Sequence, residues 1–266
     1  MIVAVCSTKG SPGVTTAALA LALAWPGPRL VLETDPSGGD LAFRGRDPNT
    51  GRLIRDGRGL LNLAADTRTG VPPEALPRYA TSTSWGVDII CGPPSVASYA
   101  PMRSLWPGVA DAAAAWPGTA IADLGRLYPG SPAFALAQRA TAVLVLTPVT
   151  VESLFHLRDR LPELAAQLAD PTDGGNPVGV VALARRRDVT FAVRQVARVL
   201  DSVGCPVPVL GCLAVDATSA HRLREGHLTA RMSRGHLLRS AMDVATRVTQ
   251  RWPQLAAPER AEAVTA

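Results

Sequence analysis

Lysine is all but absent. The 266-residue chain carries 27 basic side chains, yet only Lys9 is a lysine and the other 26 are arginines. Aromatic residues make up 5% of the chain, too few for the stacked platforms that hold single-stranded nucleic acid. Charged residues are also scarce, at 18% against 47% hydrophobic, which excludes a disordered chain. No apolar run is longer than Ala17 to Trp25, well short of the roughly 20 residues of a spanning helix. Cys6, Cys91, Cys205 and Cys212 form no CxxC pair and read as buried thiols of a reduced compartment. The opening run Met1 to Cys6 has no basic leader before it and is not read as a signal peptide. The expectation is a cytoplasmic protein.

What is present is a regular alternation. Apolar runs at 2–6, 29–33, 87–91, 119–123, 142–146, 178–183 and 207–212 read as strands. Helix-forming stretches at 15–24, 60–65, 101–115, 132–138, 151–169, 189–203, 217–224 and 237–252 separate or follow them. The strand runs are continuous rather than alternating, the mark of a mainly parallel sheet covered on both faces. Residues 41–58 are polar and glycine-rich, and read as a surface excursion. The predicted fold is a single doubly wound α/β domain of about seven strands over residues 1–252, with 253–266 as a frayed tail. Charge is uneven. Residues 177–251 hold 12 arginines against five acids, which permits contact with a polyanion without requiring it.

The first strand feeds Ser7-Thr8-Lys9-Gly10-Ser11-Pro12-Gly13 and then a helix. Strand, glycine loop and helix together outline a phosphate cradle, in which backbone N–H groups and the helix N-terminus converge on an anion. The standard G-x-x-x-x-G-K-[ST] pattern is not met, because Val14 stands where that pattern has lysine.

Lys9-Gly10-Ser11-Pro12-Gly13-Val14-Thr15-Thr16 does resemble the K-G-G-x-G-K-[ST]-[ST] loop of the ParA/MinD ATPases, a P-loop NTPase family, at six of eight positions. Ser11 and Val14 are the departures. The only lysine of the chain falls on the family's signature lysine, which reaches nucleotide phosphates across a dimer interface. The resemblance continues at Glu33-Thr34-Asp35-Pro36, similar to the family's D-x-D-P. It implies that Asp35 positions the attacking water and lies near the metal, with Glu33 replacing the first aspartate. Thr119 to Asp123 resembles the Walker B strand, so Asp123 would hold Mg²⁺ through a water, opposite the Thr15 hydroxyl. Plainer readings stand beside these: a decayed loop that only shapes a turn, Asp35 capping the turn before Pro36, and Asp123 satisfied by local N–H groups. Arg126 is expected in a surface salt bridge, although it could approach phosphate. His156, His221, His227 and His236 show no metal-ligand spacing.

The resemblance implies a nucleotide-dependent positional or assembly switch that binds ATP and Mg²⁺ at 9–16, with Lys9 and Asp35 in catalytic roles. It also implies an ATP-linked homodimer and a protein partner or cargo. Without the loop lysine, hydrolysis is expected to be slow, since one preorganised charged donor is worth about 3–4 kcal/mol in the transition state. The alternative is a catalytically inactive scaffold similar to the TadZ/CpaE relatives. Arg222, Arg224, Arg231, Arg234 and Arg239 are candidate non-specific DNA contacts, and they suit a solvated face equally well. The tail offers no bulky apolar face, so no membrane insertion is expected.

Overall fold

The continuous apolar runs do form strands, and almost every side chain on them is buried. The computed structural model describes residues 1–54, 59–169 and 175–256, with the side chains of Arg231 and Ser233 outside that description. The strands are β1 (Ile2–Ser7), β2 (Arg29–Glu33), β3 (Thr81–Ser82), β4 (Asp88–Ile90), β5 (Thr119–Arg126), β6 (Ala142–Pro148), β7 (Val178–Ala184) and β8 (Val209–Ala214). They form one sheet in the order β3-β4-β2-β5-β1-β6-β7-β8. Every pairing is parallel except β3 with β4.

The helices are α1 (Val14–Ala24), α2 (Leu41–Arg44), α3 (Leu60–Asp66), α4 (Trp106–Ala115) and α5 (Phe134–Gln138). They continue with α6 (Val151–Leu168), α7 (Val189–Asp201), α8 (Ala217–Arg224), α9 (Ala230–Ser233) and α10 (His236–Arg251). Strand side chains alternate between two layers, as the period of two requires. Ile2, Ala4 and Cys6 pack in one layer with Trp106 of α4, Leu157 and Leu161 of α6 and Val196 of α7. Val3 and Val5 face the other, with Leu21 of α1 and Val244 of α10. Each leucine buried in these layers contributes about 1.5–3 kcal/mol.

Alanine and leucine carry α1, and the helix stops where Trp25 turns extended (φ −74°, ψ 135°) ahead of Pro26, as the residue before proline prefers. The helix expected from Pro101 begins at Trp106. A 3-10 turn, Val96–Met102, takes up the first proline, and Pro107 falls in the first turn of α4, where a missing N–H costs nothing.

The expected mainly parallel sheet is present, and among the described residues it has eight strands, the one beyond the expected runs being the two-residue antiparallel β3, too short to carry any pattern. The last strand lies two residues beyond 207–212, at Val209–Ala214. The excursion after residue 41 is anchored in its described part: Leu41 and Ile54 are buried, Arg46 donates to the Glu225 carbonyl (3.1 Å), and the Arg46 carbonyl accepts from the Ser84 N–H (2.7 Å). Of the expected tail, Pro253–Leu255 forms a 3-10 turn with Leu255 buried, and 257–266 lie outside the described residues.

Candidate phosphate site

From β1 the chain winds through β2 and β4 on one side, returns through β5, and then builds β6 to β8 on the other. The carboxyl ends of β1 and β5 therefore open at the point where the strand order reverses, the usual place for a ligand in such sheets. Residues 8–13 leave β1 at this point. The Ser7 hydroxyl donates to the Gly10 carbonyl (3.1 Å), and Arg160 of α6 donates to the Thr8 carbonyl (2.6 Å), fixing the start of the loop from two sides. Gly10 (φ 69°) and Gly13 (φ 99°) take the left-handed conformation that only glycine holds cheaply. A Cβ on either would meet nothing within 4 Å among the described residues, so conformation and not crowding calls for glycine there. Among the described residues no side chain caps α1, as is also true of α2 to α5, α7 and α10. The N-terminal N–H groups of α1 thus remain available at its positive end.

Across the loop stands Asp123, paired in register with Val5 on one side and Glu33 on the other. It is 0% exposed. One carboxylate oxygen accepts from the Gly125 N–H (3.0 Å); Oδ2 has no partner at hydrogen-bond distance among the described residues, although the Thr15 hydroxyl is close enough to favour the charged carboxylate. Burial first, and then the charge of Asp35, push its pKa up to about 6, against the Thr15 hydroxyl, the Gly125 N–H and the Arg44 charge. An orphaned buried carboxylate oxygen calls for an explanation, and a hydrated Mg²⁺ shared with Thr15 fits the donor set. Among the described residues no group of three or more His, Cys, Asp or Glu side chains forms a ready metal cage.

Asp35 follows β2, partly exposed, and accepts from the Ser37 N–H (2.8 Å). Its carboxylate lies against Gly125 (φ 56°) so closely that any Cβ there would overlap it. This explains the glycine after the Walker B-like strand. Glu33 does something the sequence did not reveal. One of its oxygens accepts from the N–H groups of Asp40 (2.7 Å) and Leu41 (2.8 Å), the other from that of Gly92 (2.9 Å). It clamps the start of α2 to the end of β4. Burial pushes its pKa up to about 7 against those three donors.

Lys9 is exposed on the loop. Burial, with the charges of Lys9, Arg160 and Arg126, lowers the pKa of His156. Arg126 makes no salt bridge among the described residues; its guanidinium lies over the Tyr128 ring at 6.0 Å. Ser11 is exposed, Pro12, Thr15 and Thr16 are half-buried, and Val14 is only 5% exposed, packed in the α1 layer of the core. Arg222, Arg224, Arg234 and Arg239 are exposed on or beside α8 to α10, while the Arg231 side chain is outside the described residues. Arg224 is not remote from the loop, since it borders a small void together with Thr15 and Thr16. No helix among the described residues is long and apolar enough to cross a membrane.

No protein-family model and no curated protein matches the chain. Solved structures do. A ParA family ATPase from Chlorobium tepidum superposes with a TM-score of 0.71 at 14% identity, over 92% of this chain and 98% of that one. An ATP complex of McdA from Cyanothece gives 0.65 at 14% identity, over 94% and 95%. The septum site-determining protein MinD from Pyrococcus horikoshii, complexed with Mg-ADP, gives 0.65 at 14% identity, over 96% and 98%. Through sheet order, loop position and near-complete coverage, this chain has the fold of the ParA/MinD ATPases.

Proposed function

We propose that the protein is a nucleotide-dependent positional or assembly switch that binds Mg·ATP at residues 9–16. One observation supports the reading: Thr15, in the first turn of α1, stands beside Asp123, whose buried Oδ2 has no hydrogen-bond partner within reach among the described residues. The backbone N–H groups of the loop and of the first turn of α1 receive the phosphates. Thr15 and, through water, Asp123 hold the metal, with Asp35 beside them. Bound Mg·ATP supplies a transferable phosphoryl group. Asp35, kept clear of side-chain crowding by Gly125, orients the water. Lys9 projects from the loop toward the phosphates of a second protomer, so dimerisation is linked to ATP. Neighbouring folds solved with ATP or Mg-ADP support nucleotide use, and a MinC:MinD complex from Aquifex aeolicus supports a protein partner.

Val14 favours a second reading. Its side chain is buried, so the loop carries no second cation, and a scaffold that binds nucleotide without turning it over matches that feature. Calorimetric titration with Mg·ATP and Mg·ADP, followed by a phosphate-release assay, separates the outcomes. Binding with slow release supports the switch, and binding with no release supports the scaffold. The absence of binding to either nucleotide removes both readings.

A further inference from the structure

A buried valine at the lysine position leaves the phosphate site short of one positive charge, and α2 carries an arginine next to it. Arg44 ends α2, with its side chain 22% exposed. It borders a void of about 10 Å³ together with Thr15, Thr16, Leu41 and Arg224, space for about one water. Arg44 therefore faces, across that void, the two hydroxyl residues that follow Val14. It is also near enough to Asp123 for its charge to hold that carboxyl's pKa down.

The placement is built, not incidental. Glu33, in register beside Asp123, accepts the N–H groups of Asp40 and Leu41 and so fixes the first turn of α2. Leu41 is buried in the layer under α1, which fixes the helix on its other side. The guanidinium is paired with Asp40, whose side chain is 61% exposed. An exposed pair of this kind is weak, and a guanidinium has five N–H donors, more than one carboxylate can engage. Its planar fork also matches a phosphate better than an ammonium does.

We infer that Arg44 supplies the phosphate-binding charge that Val14 cannot, held in reserve by Asp40 until a nucleotide occupies the loop. The inference rests on the nucleotide reading above and adds a residue to that site. It also gives Glu33 a purpose, as the positioning residue that sets α2, and with it Arg44, against the loop.

The test is calorimetric titration of Mg·ATP into wild type, Arg44→Ala, Arg44→Lys, Arg44→Gln, Asp40→Asn, Val14→Lys and the double variant Arg44→Ala with Val14→Lys, each checked by thermal melt. Loss of a charged hydrogen-bond donor predicts affinity weaker by about tenfold to a hundredfold in Arg44→Ala. Arg44→Lys recovers most of the loss and Arg44→Gln does not. Asp40→Asn tightens binding, and lysine at position 14 restores it in the double variant. Rescue from position 14 is informative when measured against Val14→Lys alone: if Arg44 supplies the missing charge, losing it costs less once lysine stands at 14, whereas a loop-packing role gives the same loss in both backgrounds. Wild-type affinity in a folded Arg44→Ala overturns the inference while the nucleotide reading stands. If Arg44→Ala does not fold, equal affinities for the lysine and glutamine variants overturn it instead. A wild-type protein that binds no nucleotide overturns the nucleotide reading itself.

Discussion

Asp123 keeps a carboxyl group where water does not reach, and its raised pKa makes that cost measurable. An unfolded aspartate loses its proton near pH 3.8, whereas the folded one holds it to about 6. Between those values the folded chain binds more protons than the unfolded chain, so stability falls as pH rises and stays low above the window. Glu33, raised from 4.5 to about 7, extends the decline toward neutrality. Urea denaturation in magnesium-free buffer should therefore show a lower midpoint at pH 8 than at pH 5. Asp123→Asn removes the buried charge. At pH 8 it should gain on the order of 2 kcal/mol, from a shift of about two pKa units at ~1.4 kcal/mol each, discounted for the amide's own unmet donor. The same variant should lose Mg·nucleotide binding. If Asp123→Asn proves less stable than wild type at pH 8, Oδ2 has a stabilising partner after all.

Loop and helix act together at the next scale. Lysine in place of Val14 would start α1 with a cation and exchange buried apolar contact for charge at the phosphates. Val14→Lys is expected to raise phosphate release by about tenfold or more if the remaining geometry is in place. A wild type that already turns over at about 1 per second or faster would contradict the charge argument. The elements also show what was legible in advance. The apolar runs that became β1, β2 and β5 to β7 were readable because a strand covered on both faces needs no polar residue. Asp123 was readable as the acid that ends such a run. β3, with two residues, and α2, with four, are too short for periodicity to exist. The role of Glu33 was hidden for another reason: its partners lie 7, 8 and 59 positions away, brought together only by the sheet. The packing of Gly125 against Asp35 was hidden in the same way.

For the whole molecule, the exposed Lys9 predicts a difference between two bound states. Lys9→Ala should impair dimerisation with a slowly hydrolysed ATP analogue, read by light scattering, more than it weakens Mg·ADP binding to the monomer. Equal dimer formation by variant and wild type would reduce Lys9 to a loop residue. The exposed arginines of α8 to α10 make a separate proposal, non-specific DNA binding. A mobility shift with ATP present should be clear at about 50 mM salt and nearly lost at about 200 mM, as release of counterions requires. No shift at the lower salt assigns these arginines to ordinary surface and favours a scaffold held by protein contacts.

The Glu33 carboxylate joins three amides from two stretches of chain, the start of α2 and the end of β4, which the Gly39 N–H also ties by donating to the Pro93 carbonyl (2.9 Å). Withdrawal of that one carboxylate would free all three amides together, making them members of one local opening unit. Deuterium exchange at Asp40, Leu41 and Gly92 should then proceed at a common rate, and nucleotide that draws α2 toward the loop should slow all three together. Exchange at Gly92, at the far end of that clamp, then becomes a clock for events at the loop.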